Sequence, residues 1–214
     1  MKNPKFLILT TATATEVGKT WLCSALANQL IAEGKNISAR KPVQSFDPND
    51  SLTDADVLSQ ATKEPSTSIT PKHRWYPIAA APPMAAKWLN KAQFSIKDLI
   101  SEMTWPQNTD IGIVEGVGGV LSPIAFDGNN LDIASAIKPN LVLIVSDAKL
   151  GSINNILLTC QALEKFPKAV FLNRFDSQDN LQVENQLWLK EKTDLKIFHS
   201  IELLSQWILD ISNI

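Results

Sequence analysis

Short runs of apolar residues alternate with amphipathic stretches along this chain of 214 residues. Runs that are apolar at every position are typical of parallel strands buried on both faces of a sheet. They predict strands at residues 6–10, 37–41, 111–115, 141–145, 169–172 and 195–198. The spacing of apolar residues predicts helices at 20–33, 54–62, 85–89, 95–103, 153–166 and 181–192, followed by a terminal helix.

The alternation of strands and helices indicates the fold class. It predicts an α/β protein in which helices cover both faces of a mainly parallel central sheet, as one domain over residues 1–214. Ligands of such sheets bind at the carboxyl ends of the strands. Polar or glycine-rich segments follow predicted strands at 12–20, 41–54, 115–119 and 147–152, and Asn173 follows another. Their common position predicts one shared site.

Composition narrows the possible functions. Hydrophobic residues make up 44% of the chain and the net charge is −2, so nucleic-acid binding has little general support. We expect no membrane span, because no apolar stretch reaches ~18 residues. No signal peptide is evident, and a cytoplasmic location is expected. Cys23 and Cys160 lie in apolar helical patterns and are interpreted as buried free thiols.

The triplet Gly18-Lys19-Thr20 has the form of the end of a phosphate-binding loop, placed between a predicted strand and a predicted helix. Such a loop aims backbone N–H groups at phosphate oxygens, and it predicts a P-loop NTPase-like fold. Lys19 would bridge the outer phosphates and the Thr20 hydroxyl would bind Mg²⁺. The usual first glycine is replaced by Thr13. Because glycine permits positive φ, the loop is either right-handed before Gly18 or slightly strained.

Two segments resemble the dethiobiotin synthase family, whose loop usually reads G-T-D-T-x-V-G-K-T. Residues 12–20 match its threonines, its valine and its G-K-T, whereas Ala12 and Ala14 replace a glycine and an aspartate. Residues 114–119 match the family's V-E-G-x-G-G. The resemblance extends from the first strand to about Leu204. We expect the two alanines to reduce nucleotide or metal affinity and to leave catalysis intact.

The resemblance implies which residues bind ATP and its metal ion. It assigns nucleotide contacts to Glu16, Val17, Gly18, Lys19, Thr20, Trp21, Asp54, Glu115, Gly116, Val117, Gly118 and Asn173. Thr20, Asp54 and Glu115 would hold Mg²⁺, which takes few protein oxygens and keeps several waters. Asp54 aligns best with the family's aspartate and Asp56 is the alternative, while on local grounds alone Asp54 would be a helix cap.

The segment at 41–45 resembles the family's K-P-V-x-S and implies contacts with the reacting groups. By this resemblance Lys41 is catalytic, together with Lys19 of the phosphate loop. A lysine beside an ATP site can neutralise a transferred phosphoryl group. Ser45 and Thr15 would contact the substrate.

Residues 149–154 resemble the family's K-L-G-x-I-N, a segment that reaches the substrate of a neighbouring subunit. Gly151 and Ser152 would make this contact, so the resemblance implies a homodimer. Near the end of the chain, Glu202 stands where the family usually has proline. The adenine contacts of that last turn are therefore open.

The resemblance implies an ATP- and Mg²⁺-dependent ring closure in biotin synthesis, with 7,8-diaminononanoate and CO₂ as small-molecule substrates. One amine would form a carbamate, ATP would phosphorylate it, and the second amine would close the ureido ring. A nucleotide-dependent switch ATPase of the partition type is an alternative, although its signature lysine would fall at Ala14. A related amide-forming ligase would need a glutaminase domain for which the length leaves no room. A degenerate, non-catalytic relative is the third alternative.

Overall fold

The computed structural model describes residues 3–214, over which strands and helices alternate. The strands are β1 Phe6–Ala12, β2 Ile37–Arg40, β3 Gln44–Ser45, β4 Trp75–Tyr76, β5 Ile111–Glu115, β6 Pro123–Ala125, β7 Gly128–Asn129, β8 Leu141–Ser146, β9 Lys168–Leu172 and β10 Lys196–Phe198. The α-helices are α1 Lys19–Ala32, α2 Asp54–Thr62, α3 Ser66–Ile69, α4 Pro82–Trp88, α5 Ile96–Glu102, α6 Asn130–Ile137, α7 Ser152–Ala162, α8 Asn180–Lys192 and α9 Ile201–Ser212.

The central sheet has the order β10-β9-β8-β1-β5-β2, and its neighbouring strands are parallel. Strand β1 is paired on both sides, so Thr10 lies opposite Glu115 of β5 and opposite Leu143 of β8. The strands β1, β2 and β5 therefore end at the same edge. The predicted α/β fold with a mainly parallel sheet is confirmed.

Two apolar cores cover the two faces of the sheet. One contains residues of α1, α2 and α9, and the other contains residues of α4 to α8. In α1, Leu22, Leu26 and Leu30 are fully buried, as their spacing predicts. Helices thus pack against both faces of the sheet, and the loops at its carboxyl edge follow strands that are held in close-packed cores.

The boundaries differ from the sequence prediction in several places. The predicted strand at 6–10 continues to Ala12, because Thr10, Thr11 and Ala12 are buried between β8 and β5. The predicted helix at 85–89 begins earlier, at Pro82, since prolines at the first helical positions need no N–H partner. Helix α6 and the β6–β7 hairpin were not predicted, because each is short and their packing partners are distant in sequence.

Both cysteines are buried free thiols, as predicted. Burial raises the pKa of Cys160 to about 11 and that of Cys23 well above its ordinary value. Among residues 3–214, no helix has the length and apolar character needed to cross a membrane.

Candidate active site

A cleft of about 980 Å³ opens at the carboxyl ends of β1, β2 and β5. Of the segments that the sequence predicts to share one site, 12–20, 41–54 and 115–119 contribute to its walls, whereas 147–152 and Asn173 do not line it. The predicted site residues that line it are Thr15, Glu16, Gly18, Lys19, Thr20, Trp21, Lys41, Ser45, Asp54, Glu115, Val117 and Gly118. Residues that sequence reasoning missed also line it, namely Phe46, Asp47, Asp50, Ala79, Ala80, Ala81, Pro82, Ser122, Pro123 and Arg174.

The phosphate loop places its unusual backbone conformations at Glu16 and Gly18. Gly18 has φ +96° and Glu16 has φ 61°, both in the left-handed region. Ala12 belongs to β1 and is fully buried there. Of the two possibilities left open by the sequence, the slightly strained loop is the one observed. The left-handed residue is Glu16 rather than Ala12 or Ala14. This conformation costs about 1–2 kcal/mol.

Gly18 is also required by a close contact. A Cβ at this position would lie 2.0 Å from Nδ2 of Asn173. That amide donates a hydrogen bond to the Val17 carbonyl at 2.9 Å. Val17 and Asn173 are therefore behind the loop and brace it, whereas the residues that follow Gly18 face the cleft.

Helix α1 begins at Lys19, directly after the loop. The first N–H groups of a helix have no partners within it and bear partial positive charge, so this end of α1 suits phosphate. Lys19 is 7% exposed. Burial, and secondarily the charge of Lys41, lowers the pKa of the Lys19 ammonium. A bound anion would oppose both effects and favour the charged form of Lys19.

Four side chains from different segments meet at the base of the cleft. The Oγ1 of Thr20 lies 2.8 Å from Oδ1 of Asp54 and 2.8 Å from Oε1 of Glu115. The Nζ of Lys41 lies 2.6 Å from the same Glu115 oxygen and 2.5 Å from Oδ2 of Asp54. The cluster brings together residues from α1, α2 and the ends of β2 and β5.

The structure separates the roles of the two neighbouring aspartates. Oδ2 of Asp56 accepts hydrogen bonds from the Thr53 backbone N–H at 3.0 Å and from its hydroxyl at 2.8 Å. Thr53 is the cap of α2, and Asp56 completes a reciprocal capping box. Asp54 is the first residue of the helix, and its carboxylate is directed at Thr20 and Lys41.

The electrostatics of this cluster follow from burial and from its internal pairing. Burial raises the pKa of Glu115, which is fully buried. Burial would also raise the pKa of Asp54, but the charge of Lys41 outweighs it and the pKa is lowered. For Lys41, burial is outweighed by Asp54 and Glu115, and the pKa of its ammonium is raised. The pairing with the two carboxylates therefore favours the charged form of Lys41.

The oxygens of this cluster fit a small divalent cation. Within residues 3–214, the buried Oε2 of Glu115 has no hydrogen-bond partner. Oxygens of Thr20 and Asp54 lie beside the same carboxylate. The described part of the chain has no group of three or more Asp, Glu, His or Cys residues that could hold a metal. Two carboxylates and one hydroxyl are a small set of oxygens, of the kind with which Mg²⁺ can be held when waters or phosphate oxygens fill its other positions.

The glycine-rich turn at 116–119 forms the wall beside Glu115. Gly118 has φ +53°, and the Gly119 N–H donates to Oγ of Ser122 at 2.8 Å. The side chain of Asn130, at the start of α6, makes hydrogen bonds to backbone groups of the turn. Sequence reasoning missed Asn130, since an isolated asparagine without a motif carries no signal for such a contact.

Some predicted residues lie outside the cleft lining. Gly151 and Ser152 are at the start of α7, with Leu150 beside them 85% exposed. The Ser152 hydroxyl is buried and lacks a hydrogen-bond partner among the described residues. Gly116 lies behind the wall, and the Ser45 hydroxyl donates to the Ala80 carbonyl.

Comparisons with known proteins agree with this architecture. The family described as AAA domain matches residues 7–207. An ATP-dependent dethiobiotin synthetase of Brachyspira hyodysenteriae is 31% identical over 207 residues, covering 89% of each chain. The same enzyme of Phenylobacterium zucineum is 35% identical over 158 residues, which cover 70% of this chain and 66% of the relative. A plasmid partition protein of Borrelia burgdorferi has a similar fold, with TM-score 0.57, 12% identity and 98% of both chains covered.

Proposed function

The chain belongs to the ATP-dependent dethiobiotin synthetase family, and from this premise we propose that it closes the ureido ring of dethiobiotin from 7,8-diaminononanoate and CO₂, using ATP and Mg²⁺. Membership makes it an ATP-dependent ligase of biotin synthesis. The detailed substrates, the intermediate and the metal ion are the content of the proposal, as is the action of residues 1–214 as one synthase domain.

The observation that carries the proposal is the meeting of Lys41, Thr20, Asp54 and Glu115 beside the start of α1. A phosphate loop alone indicates only nucleotide binding. A buried lysine whose charged form is favoured, beside the oxygens of Asp54 and Glu115, adds a group that can stabilise a transferred phosphoryl group.

The proposed reaction has three steps. One amine of the diamine attacks CO₂ and loses a proton, which gives a carbamate. A carbamate oxygen then attacks the γ-phosphorus of ATP and ADP leaves. The second amine attacks the carbonyl carbon, loses a proton and expels phosphate, which closes the ring.

The main electrostatic obstacle to the proposed reaction is the approach of an anionic carbamate to an anionic triphosphate, and the positive charges of the site reduce it. Lys19 would hold the outer phosphates from the start of α1, and Lys41 lies beside Asp54 and Glu115, the two carboxylates that flank the Thr20 hydroxyl. Their ammonium groups reduce the repulsion and fix the two reactants in line. The raised pKa of Lys41 keeps this charge present throughout the neutral range.

We assign the metal ion to Thr20, Asp54 and Glu115. When bound, Mg²⁺ would neutralise charge on the β- and γ-phosphates. The unpartnered Oε2 of Glu115 supports this assignment, because a buried carboxylate oxygen without a partner is otherwise costly. Asp54, which aligns best with the family's aspartate, is kept as the ligand rather than Asp56, because Asp56 is engaged in its capping box.

The organic substrate and the subunit arrangement belong to the same proposal. Thr15 and Ser45 line the cleft and would contact the diamine. Gly151 and Ser152 start α7 away from the cleft lining, so they would serve the substrate of a second subunit in a homodimer. The exposure of Leu150 in this segment supports such a contact.

One assay tests the proposed function. Purified protein is given ATP, Mg²⁺ and bicarbonate, and ADP release is followed with and without 7,8-diaminononanoate. We expect release to depend on the diamine and to be abolished by Lys41→Ala. The matched control is Lys192→Ala, since Lys192 pairs with Glu191 on the surface and is half exposed. ADP release that ignores the diamine would exclude the synthase function, and full activity of Lys41→Ala would exclude its catalytic role.

The alternatives drawn from sequence gain no specific support. The likeness to the plasmid partition protein, at 12% identity, shows the fold alone. A non-catalytic relative would be expected to lose charged residues at its reaction centre. Here Lys19, Lys41 and Glu115 are all present and line one cleft, and the charged residue lost relative to the family is the loop aspartate replaced by Ala14, which does not line the cleft.

A further inference from the structure

The side chain of Asn130 makes three hydrogen bonds to the backbone of the glycine-rich turn. Its Oδ1 accepts from the Val117 N–H at 3.0 Å, and its Nδ2 donates to the carbonyls of Val117 and Gly119, each at 2.6 Å. The residue is 1% exposed. A carboxamide is the side chain that offers an acceptor and two donors at once, so it fits this pattern completely.

Asn130 is itself held firmly. It is the first residue of α6, which Asn129 caps by accepting from the Leu131 N–H at 2.8 Å. The carboxylate of Asp132 accepts in return from the Asn129 N–H at 2.8 Å. Further along the helix, Ile133 is fully buried in the core. The carboxamide therefore acts from a fixed support.

The turn that Asn130 holds connects directly to the reaction centre. Glu115 precedes the turn, and Val117 and Gly118 line the cleft. The Gly116 carbonyl lies 3.4 Å from Nζ of Lys41. A Cβ on Gly116 would lie 2.3 Å from Oδ1 of Asn130, so turn and carboxamide are packed without spare room. Movement of the turn would change both the direction of Glu115 and the distance to Lys41.

We infer that Asn130 is a positioning residue, whose carboxamide fixes the 116–119 turn and thereby directs Glu115 toward a nucleotide-bound Mg²⁺. The inference deepens the proposed function and rests on it. Groups that orient metal ligands from behind typically change metal affinity or activity by about 10- to 100-fold when removed. Asn130 is not part of the cleft lining, so its proposed effect passes through Glu115.

The test measures binding of a non-hydrolysable ATP analogue by calorimetry, with Mg²⁺ and with EDTA. The ratio of the two dissociation constants reports how strongly Mg²⁺ and nucleotide bind together. We expect Asn130→Ala and Asn130→Asp to reduce this ratio about tenfold. Binding in EDTA, which depends on the 12–20 loop and the start of α1, should stay within about twofold.

Asn129→Ala is the matched control. It removes the cap of α6, which costs about 1 kcal/mol of stability, yet this side chain makes no hydrogen bond to the turn. Its ratio should equal that of the unmodified protein. If Asn129→Ala reduces the ratio as much as Asn130→Asp does, general loosening of α6 is the cause and the inference is overturned.

Asn130→Asp also provides a signature in pH. A carboxylate at this position would face two carbonyl oxygens, whereas a protonated carboxyl can donate to one of them. The loss in the ratio, relative to the unmodified protein at the same pH, should therefore be smaller near pH 6 than near pH 8.5. Asn130→Ala has no such group and should show no pH trend.

The outcomes separate the two levels of the proposal. An unchanged ratio in folded Asn130→Asp overturns the inference, as does a protein whose nucleotide binding ignores Mg²⁺. Should Asn130→Ala fail to fold, the isosteric Asn130→Asp decides the matter. A protein that binds nucleotide with Mg²⁺ but releases no ADP on addition of the diamine refutes the proposed function, and the binding ratio still decides the role of Asn130.

Discussion

The replacement Gly18→Ala tests how the phosphate loop is held. Two separate effects oppose a methyl group at this position. The φ of +96° lies in the left-handed region, and the new Cβ would lie 2.0 Å from Nδ2 of Asn173. The contact is with a buried amide that already bonds the Val17 carbonyl, so it cannot be relieved by the swing of a flexible side chain.

The magnitude follows from these two terms. The left-handed conformation costs a residue with a Cβ about 1–2 kcal/mol. Displacement of Asn173 would leave the Val17 carbonyl and the amide without partners, which costs about 1–3 kcal/mol. Together we expect a loss of about 2–5 kcal/mol in the free energy of unfolding.

Gly34→Ala is the control for the first term alone. Gly34 follows the other end of α1 with φ +79°, and a Cβ there would meet nothing within 4 Å. Its loss should therefore be about 1–2 kcal/mol, without an effect on nucleotide affinity.

Denaturant unfolding of Gly18→Ala, Gly34→Ala, Asn173→Ala and the double variant Gly18→Ala/Asn173→Ala gives the comparison. In the Asn173→Ala background, the added cost of Gly18→Ala should fall to that of Gly34→Ala. If Gly18→Ala costs no more than Gly34→Ala in the unmodified background, the contact with Asn173 does not impose the glycine and the reasoning fails.

Three further outcomes follow from the site. Asp54→Asn should raise the Mg²⁺ concentration for half-maximal nucleotide binding about tenfold, whereas Asp56→Asn should only weaken the cap of α2 by about 1 kcal/mol; equal effects on Mg²⁺ would contradict the assignment. The Lys41 charge overcomes burial and lowers the pKa of Asp54, so the stability that Asp54 contributes is present above its unfolded pKa of about 3.9 and is lost as the pH falls through the lower folded value. Urea unfolding between about pH 5 and pH 2 should accordingly show a smaller decline for Asp54→Asn than for the unmodified protein. Ala12→Gly, which restores the glycine usual in the family, should cost about 0.5–1 kcal/mol in β1 and bring no gain in nucleotide affinity by calorimetry, because Ala12 is extended and buried; a clear gain would show that the alanine weakens binding.

The sequence predicts much of the fold because its strands are continuous apolar runs and α1 has a clear apolar face. The strand at 111–115 and the helix at 54–62 have the observed bounds. Helix α6 escapes prediction, since it is held by its cap and by the turn beside it rather than by a long periodic stripe. The spacing of apolar residues therefore predicts an element only when the residues of that element themselves form an apolar run or an apolar face.

The same distinction applies to the site. Lys41 and Glu115 end strands, and that position predicts where they meet. Our preference for Asp54 over Asp56 depends on which carboxylate turns toward Thr53, and it is the Asp56 carboxylate that accepts a hydrogen bond from the N–H of this helix cap. The role of Asn130 depends on contacts 11 and 13 residues away in the chain, and no spacing rule connects them.

The order of the sheet gives the two lysines of the cleft different mechanical supports. Lys19 follows β1, which is bonded on both sides, whereas Lys41 follows β2, the last strand at one edge. Within the sheet β2 pairs with β5 alone, and the Lys41 N–H is bonded outside the sheet, to the Ile69 carbonyl, whereas β1 has a strand on each side. If Lys41 acts in phosphoryl transfer as we propose, local opening at this edge would slow turnover before it weakened nucleotide binding.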